Sequence, residues 1–156
     1  MSAEVKIVDV AAQARAFIAA SQPLDALSLI ERARQTDPGD PTLMSLFGFL
    51  HALERGQIRE GTTLCVRATE TAPELPEVWL DLGNLYLRTG RRAEAVTTFR
   101  TGLRHCKDDE GLKHALAGLG LRRPLVFTSL PRDHVFNRWA GRLRAVFSPK
   151  TPMEHG

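Results

Sequence analysis

At 156 residues the chain is long enough for one domain with a real core, and 43% hydrophobic with 6% aromatic residues is an ordinary balance for a soluble helical protein. No apolar run reaches the roughly 18 to 20 residues that a spanning helix needs, and the start MSAEVKIVDVAAQARAF lacks the basic stretch and apolar block of a secretory signal, so a cytoplasmic location is expected. The net charge of +3 hides an asymmetry: residues 1–110 hold 13 Lys/Arg against 16 Asp/Glu, residues 111–156 hold 8 against 2, and an acidic body with a basic tail offers two surfaces of different electrostatic taste.

Along the chain, Val8, Ala11, Ala12, Arg15, Phe17 and Ile18 predict a helix from about Val5 to Ala20, rich in Ala and free of glycine. A turn at Ser21 and Gln22 precedes a second helix carrying Ala26, Ile30 and Ala33, closed by Pro38. The sequence then begins again. Leu43 to Arg55 is apolar nearly all round, with Leu46, Phe47, Gly48, Phe49, Leu50 and Leu53, and a turn at Gly56 leads to a helix with Gly61, Cys65 and Ala68. Pro41 and Pro76 fall just inside helix starts, where a missing N–H costs nothing. Gly48 lies eight residues before Gly56, whereas Gly83 lies seven before Gly90, so the second unit's first helix should hold one extra residue.

The third unit is the clearest. Trp79, Leu82, Gly83 and Tyr86 share one helical face, Gly83 permits a close neighbour, Gly90 closes the helix, and Ala95 and Phe99 restart the pattern. Ala26, Gly61 and Ala95 recur in register across the three units. The spacing Trp-x2-Leu-Gly-x2-Tyr…Ala-x3-Phe resembles the tetratricopeptide repeat family, with Gly102 standing where a small Ala is usual and Lys107 where Pro closes the repeat. The resemblance implies an all-α, right-handed superhelix of antiparallel helix pairs: three repeats over 5–107 (about 5–38, 41–73 and 76–107), then a C-terminal capping region.

In that region Asp108, Asp109 and Glu110 put negative charge at the start of a short helix, Gly111 to Leu119. Leu121 to Pro131 reads as an extended strap. A basic amphipathic helix from Asp133 to Phe147 completes the 108–147 capping segment, and residues 148–156, with two prolines and a terminal Gly, should form a flexible tail.

No catalytic, cofactor or metal constellation is expected. The five histidines show no HExxH and no Cys at ligand spacing, and the glycines form no phosphate loop. Cys65 takes the position of Phe99 in the repeat and should be a packed thiol, and two lone cysteines make no disulfide framework. Capping explains the acidic triplet better than a cation site does. The expected role is a non-enzymatic scaffold without cofactors.

In repeats of this family the first helix of each pair lines a concave surface that accepts a peptide or helix of a partner. The resemblance therefore implies partner-binding residues at Ser45, Phe49, Leu53, Glu77, Leu80, Asp81, Asn84 and Arg88, a groove part apolar and part polar that suits an amphipathic segment. Asn84 stands where peptide-binding members often carry an Asn that bonds ligand backbone. Leu80 and Phe49 occupy likely clamp positions, which argues against capture of a C-terminal carboxylate. Phe49 and Leu53 read equally well as core. Repeat ends left open would allow self-association.

Two other functions stay open. Three repeats in a chain of this size resemble the type III secretion chaperones for a protein client, whose tails are not typically basic. The basic surface of Arg138, Arg142 and Arg144 would alternatively meet nucleic acid or anionic membrane. Burying Val135, Phe136, Trp139, Leu143 and Phe147 is worth roughly 1.5 to 3 kcal/mol each, against about 1 kcal/mol for a basic residue near an anionic surface, so a capping role for this helix is favoured over nucleic acid or membrane as partner.

Overall fold

The structure, a computed structural model, describes residues 3–120. Within them the chain forms seven α-helices and no strand: α1 (Ala3–Ala19), α2 (Pro23–Thr36), α3 (Pro41–Glu54), α4 (Ile58–Thr71), α5 (Pro76–Arg88), α6 (Arg92–His105) and α7 (Glu110–Gly118). None is long and apolar enough to cross a membrane. The expected strap, the basic amphipathic helix with Arg138, Arg142 and Arg144, and the 148–156 tail lie outside the described residues.

Local chemistry sets the helix ends. Pro23, Pro41 and Pro76 each occupy the first helical position. Asp40 caps α3 by accepting the Leu43 N–H at 2.8 Å, and Asp109 caps α7 by accepting the Leu112 N–H at the same distance. Asp108 and Glu110 beside it both pair with Lys113, so the acidic triplet is engaged within its own helix start. As the spacing predicted, α3 holds 14 residues to the 13 of α5.

The turn inside each pair uses the same left-handed residue: φ is 60° at Ser21, 70° at Gly56 and 78° at Gly90. After α1 and α5 the turn is closed identically, by Gln22 N–H to Phe17 C=O and Arg91 N–H to Tyr86 C=O, each at 2.8 Å. Ser21 thus sustains a conformation that glycine adopts freely.

Odd-numbered helices pack on one another in series, α1 on α3, α3 on α5 and α5 on α7, whereas α2, α4 and α6 touch no other even-numbered helix. The odd helices therefore form the inner wall and the even ones an outer, spread layer. Within the third pair a Cβ on Gly83 would sit 2.1 Å from the Phe99 ring, so α6 drives its phenyl group into the gap that glycine leaves. The second pair solves the same contact differently. Cys65 replaces the phenyl ring, Gly61 replaces Ala95, and the two backbones close up until a Cβ on Gly61 would lie 2.3 Å from the Gly48 carbonyl oxygen. In the first pair Ala14 and Ile30, both fully buried, fill the equivalent positions.

Two apolar clusters result, one around Leu43, Leu46, Leu50 and Leu85, the other around Val78, Trp79, Phe99 and Leu112, with Tyr86 packed against both. Gly102, the departure from the family pattern, lies under Trp79 and Leu112, where a Cβ would come within 2.8 Å of Trp79. The missing methyl lets α7 seat. Arg92 fastens the end of α7 by donating to the Leu119 carbonyl.

Gly83→Ala should lower the unfolding free energy by about 3 kcal/mol, the upper range for overpacking a core, and Phe99→Leu in the same chain should recover part of that loss in a denaturant double-mutant cycle. Ser21→Gly should act in the opposite direction, raising stability by about 0.5 to 1 kcal/mol as the left-handed strain is relieved.

Candidate functional site

The inner wall carries a groove built from α1, α3 and α5. One hollow of about 430 Å³ is lined by Ile18, Ala19, Phe49, Asn84, Leu87 and Arg88 together with Arg15 and Asp81. A second, of about 260 Å³, shares Ile18, Phe49 and Arg88 and extends along Leu53 and Glu54 toward the Ser21 turn. A larger hollow of about 510 Å³ lies elsewhere, but it is lined by residues 56–64 alone and joins no two elements of the fold.

The floor of the groove is electrostatic. Asp81, 3% exposed, receives the Arg15 guanidinium across it, Nη1 to Oδ1 at 2.8 Å and Nη2 to Oδ2 at 3.2 Å, and the buried Ser45 hydroxyl donates to Oδ2 at 2.6 Å. Three helices contribute one member each: α1 the cation, α5 the anion, α3 the hydroxyl. Burial works against the Arg15 charge, but the Asp81 carboxylate and the more distant Glu77 outweigh it and hold the guanidinium pKa above its usual value.

The same carboxylate reaches the core thiol. Cys65 donates to the Ser45 carbonyl at 3.3 Å, and burial, reinforced by the Asp81 charge, pushes its pKa far up, so it is a protonated packing group. At Cys106 partial burial, with Asp109, Glu77 and Glu74 nearby, likewise raises the thiol. Neither sulfur is primed as a nucleophile. Among the described residues no group of three or more His, Cys, Asp or Glu side chains is placed to hold a metal ion.

Of the eight positions singled out from the sequence, the structure brings Phe49, Leu53, Asp81, Asn84 and Arg88 to the groove. Asn84 and Arg88 are exposed there. Phe49, 8% exposed, belongs to the core cluster and to the groove wall at once. Asp81 lies in the floor, with its carboxylate engaged. The other three lie apart. Ser45 is fully buried, bonded to Asp81 from below. Leu80 packs against Gly111 of α7, and Glu77, half-buried in the first turn of α5, lines neither hollow. Leu87, which the sequence sets beside the packing face with Asn84 and Arg88, lines the groove with them. Arg15 and Ile18 were not expected there, yet moving the Asn84, Leu87 and Arg88 positions back two repeats lands on Arg15, Ile18 and Ala19. The register held that signal.

Because Asp81 is buried and the Arg15 side chain is 36% exposed, the two partners should not be equivalent in mutation. Arg15→Met strands a carboxylate in the floor and should cost about 3 kcal/mol of stability. Asp81→Asn leaves a guanidinium that can turn to water and should cost less, about 1 to 2 kcal/mol once solvent screening is allowed for. Equal losses in urea unfolding would contradict this account of the floor.

Residues 76–119, which contain α5, α6 and α7, match the family model described as Tetratricopeptide repeat. No curated protein matches the chain significantly. Among solved structures, the second TPR domain of human RPAP3, determined in complex with the HSP70 peptide SGPTIEEVD, aligns with a TM-score of 0.54 at 14% identity, covering 78% of this chain and 100% of that one. The Sgt2 TPR domain from Aspergillus fumigatus aligns with a TM-score of 0.56 at 15% identity, covering 95% of this chain and 88% of that one. At such identities the likeness establishes the fold. Residues 76–119 carry the sequence pattern of the tetratricopeptide repeat, and α1 to α7 take the all-α superhelical fold of such domains.

Proposed function

We propose that the protein is a non-catalytic interaction scaffold whose groove between α1, α3 and α5 takes a peptide or a helix from a protein partner. The observation that carries this reading is the lining itself. Ile18, Phe49, Leu53 and Leu87 offer apolar contact beside the exposed Asn84 amide and Arg88 guanidinium, the combination that seats one face of an amphipathic segment and fixes it with a few polar contacts.

The peptide present with the human RPAP3 domain supports the same use of a related fold. Repeats that share buried faces keep the wall rigid, so the ligand rather than the scaffold bears the ordering entropy. The free thiols Cys65 and Cys106 fit a reducing compartment, and we place the protein in the cytoplasm on that ground.

Titration of the isotope-labelled full chain with an amphipathic model peptide should shift the NMR signals of Ile18, Phe49, Leu53, Asn84 and Leu87 together. Asn84→Arg, on an exposed position, should weaken that binding by about tenfold or more, roughly the loss of one interface hot spot, without altering thermal stability. Shifts confined to α2, α4 and α6 would place binding on the outer layer and refute the groove.

A further inference from the structure

Some charges among the described residues close into pairs. Arg55 meets Glu31 at 2.6 Å, Arg91 meets Glu94 at 3.0 Å, and Lys113 is shared by Asp108 and Glu110. In the groove floor Arg15 and Asp81 neutralise each other. Two opposite charges share one hollow of the groove. Glu54, the last residue of α3, and Arg88, the last residue of α5, are both exposed and both line the narrower hollow. Neither has an ion-pair partner among the described residues, and they do not pair with each other. Phe49 and Leu53 line the same hollow.

We propose that Glu54 and Arg88 read the charges of the bound segment: the groove selects an amphipathic protein segment carrying one acidic and one basic residue beside its apolar face, the acid meeting Arg88 and the base meeting Glu54. This rests on the groove being the binding face. The apolar residues of the segment supply most of the affinity by leaving water. Covering the hollow then strips water from Glu54 and Arg88, and a segment that leaves either unmatched loses affinity through an uncompensated charge. Since each groove charge comes from a different inner helix, the selection acts on a pair of ligand residues and not on one.

The test uses the full chain and four fluorescein-labelled amphipathic peptides with one leucine face, whose two flanking positions carry Glu and Lys, Glu and Glu, Lys and Lys, or Gln and Gln. By fluorescence anisotropy at low salt the wild-type chain should bind the Glu/Lys peptide about three- to tenfold more tightly than either like-charged peptide, the scale of partly shielded ion pairs. Glu54→Lys should move the preference to Glu/Glu and Arg88→Glu should move it to Lys/Lys, with circular dichroism unchanged in both variants. Equal affinity for all four peptides, or a preference that neither substitution moves, overturns the charge readout. The groove reading survives that outcome if Asn84→Arg still weakens binding about tenfold or more, and absence of binding to every peptide removes both.

Discussion

A carboxylate buried between packed helices is tolerated only with partners on its oxygens, and the inner wall of this protein is arranged to supply them to Asp81. Arg15 reaches it from the first helix and Ser45 from the third, so a single anion draws together three helices far apart in sequence. Apolar stacking between neighbouring repeats is permissive about angle. A bidentate guanidinium contact is not. The Arg15–Asp81 pair spans from the first repeat to the third across α3, and so fixes the relation between elements that neighbour-to-neighbour packing would leave looser.

That arrangement also decides which charges face the groove. Asp81 and Arg15 line it, but their charges answer each other, and the Ser45 hydroxyl is directed at the carboxylate. What remains open in the groove is a wall that is mostly apolar, with an amide at Asn84 and single charges at Glu54 and Arg88. As the binding surface we propose, such a wall would gain affinity from shape and burial, and orientation from few polar groups.

The outer layer shows how one architecture absorbs different residues. A phenyl ring against glycine in the third pair, glycine against glycine with a thiol alongside in the second, and alanine with isoleucine in the first each fill the space between paired helices, at different separations. The thiol at Cys65 is therefore a volume choice, and its burial beside Asp81 removes it from chemistry.

Much of this was legible in the residues. The Trp79, Leu82, Gly83, Tyr86 spacing and its echoes at Gly48 and Ser21 marked the helices, their turns and the extra residue of α3, because helix periodicity and the left-handed turn position are local properties. Asn84 and Arg88 could be assigned to the groove because the resemblance implies that the first helix of each pair lines it, and the helical period then sets where on α5 the two residues fall. Ser45, Leu80 and Asp81 could not be resolved in this way. The helical period puts all three beside the packing face, and only the neighbours that α1 and α7 bring, a guanidinium over Asp81 and Gly111 over Leu80, determine that one side chain is covered and another is paired. Sequence by itself determined what lies within a turn or two of each residue. The tertiary structure decided which charges neutralise each other and which stay open, because that depends on contacts between residues as distant in the chain as Arg15 and Asp81.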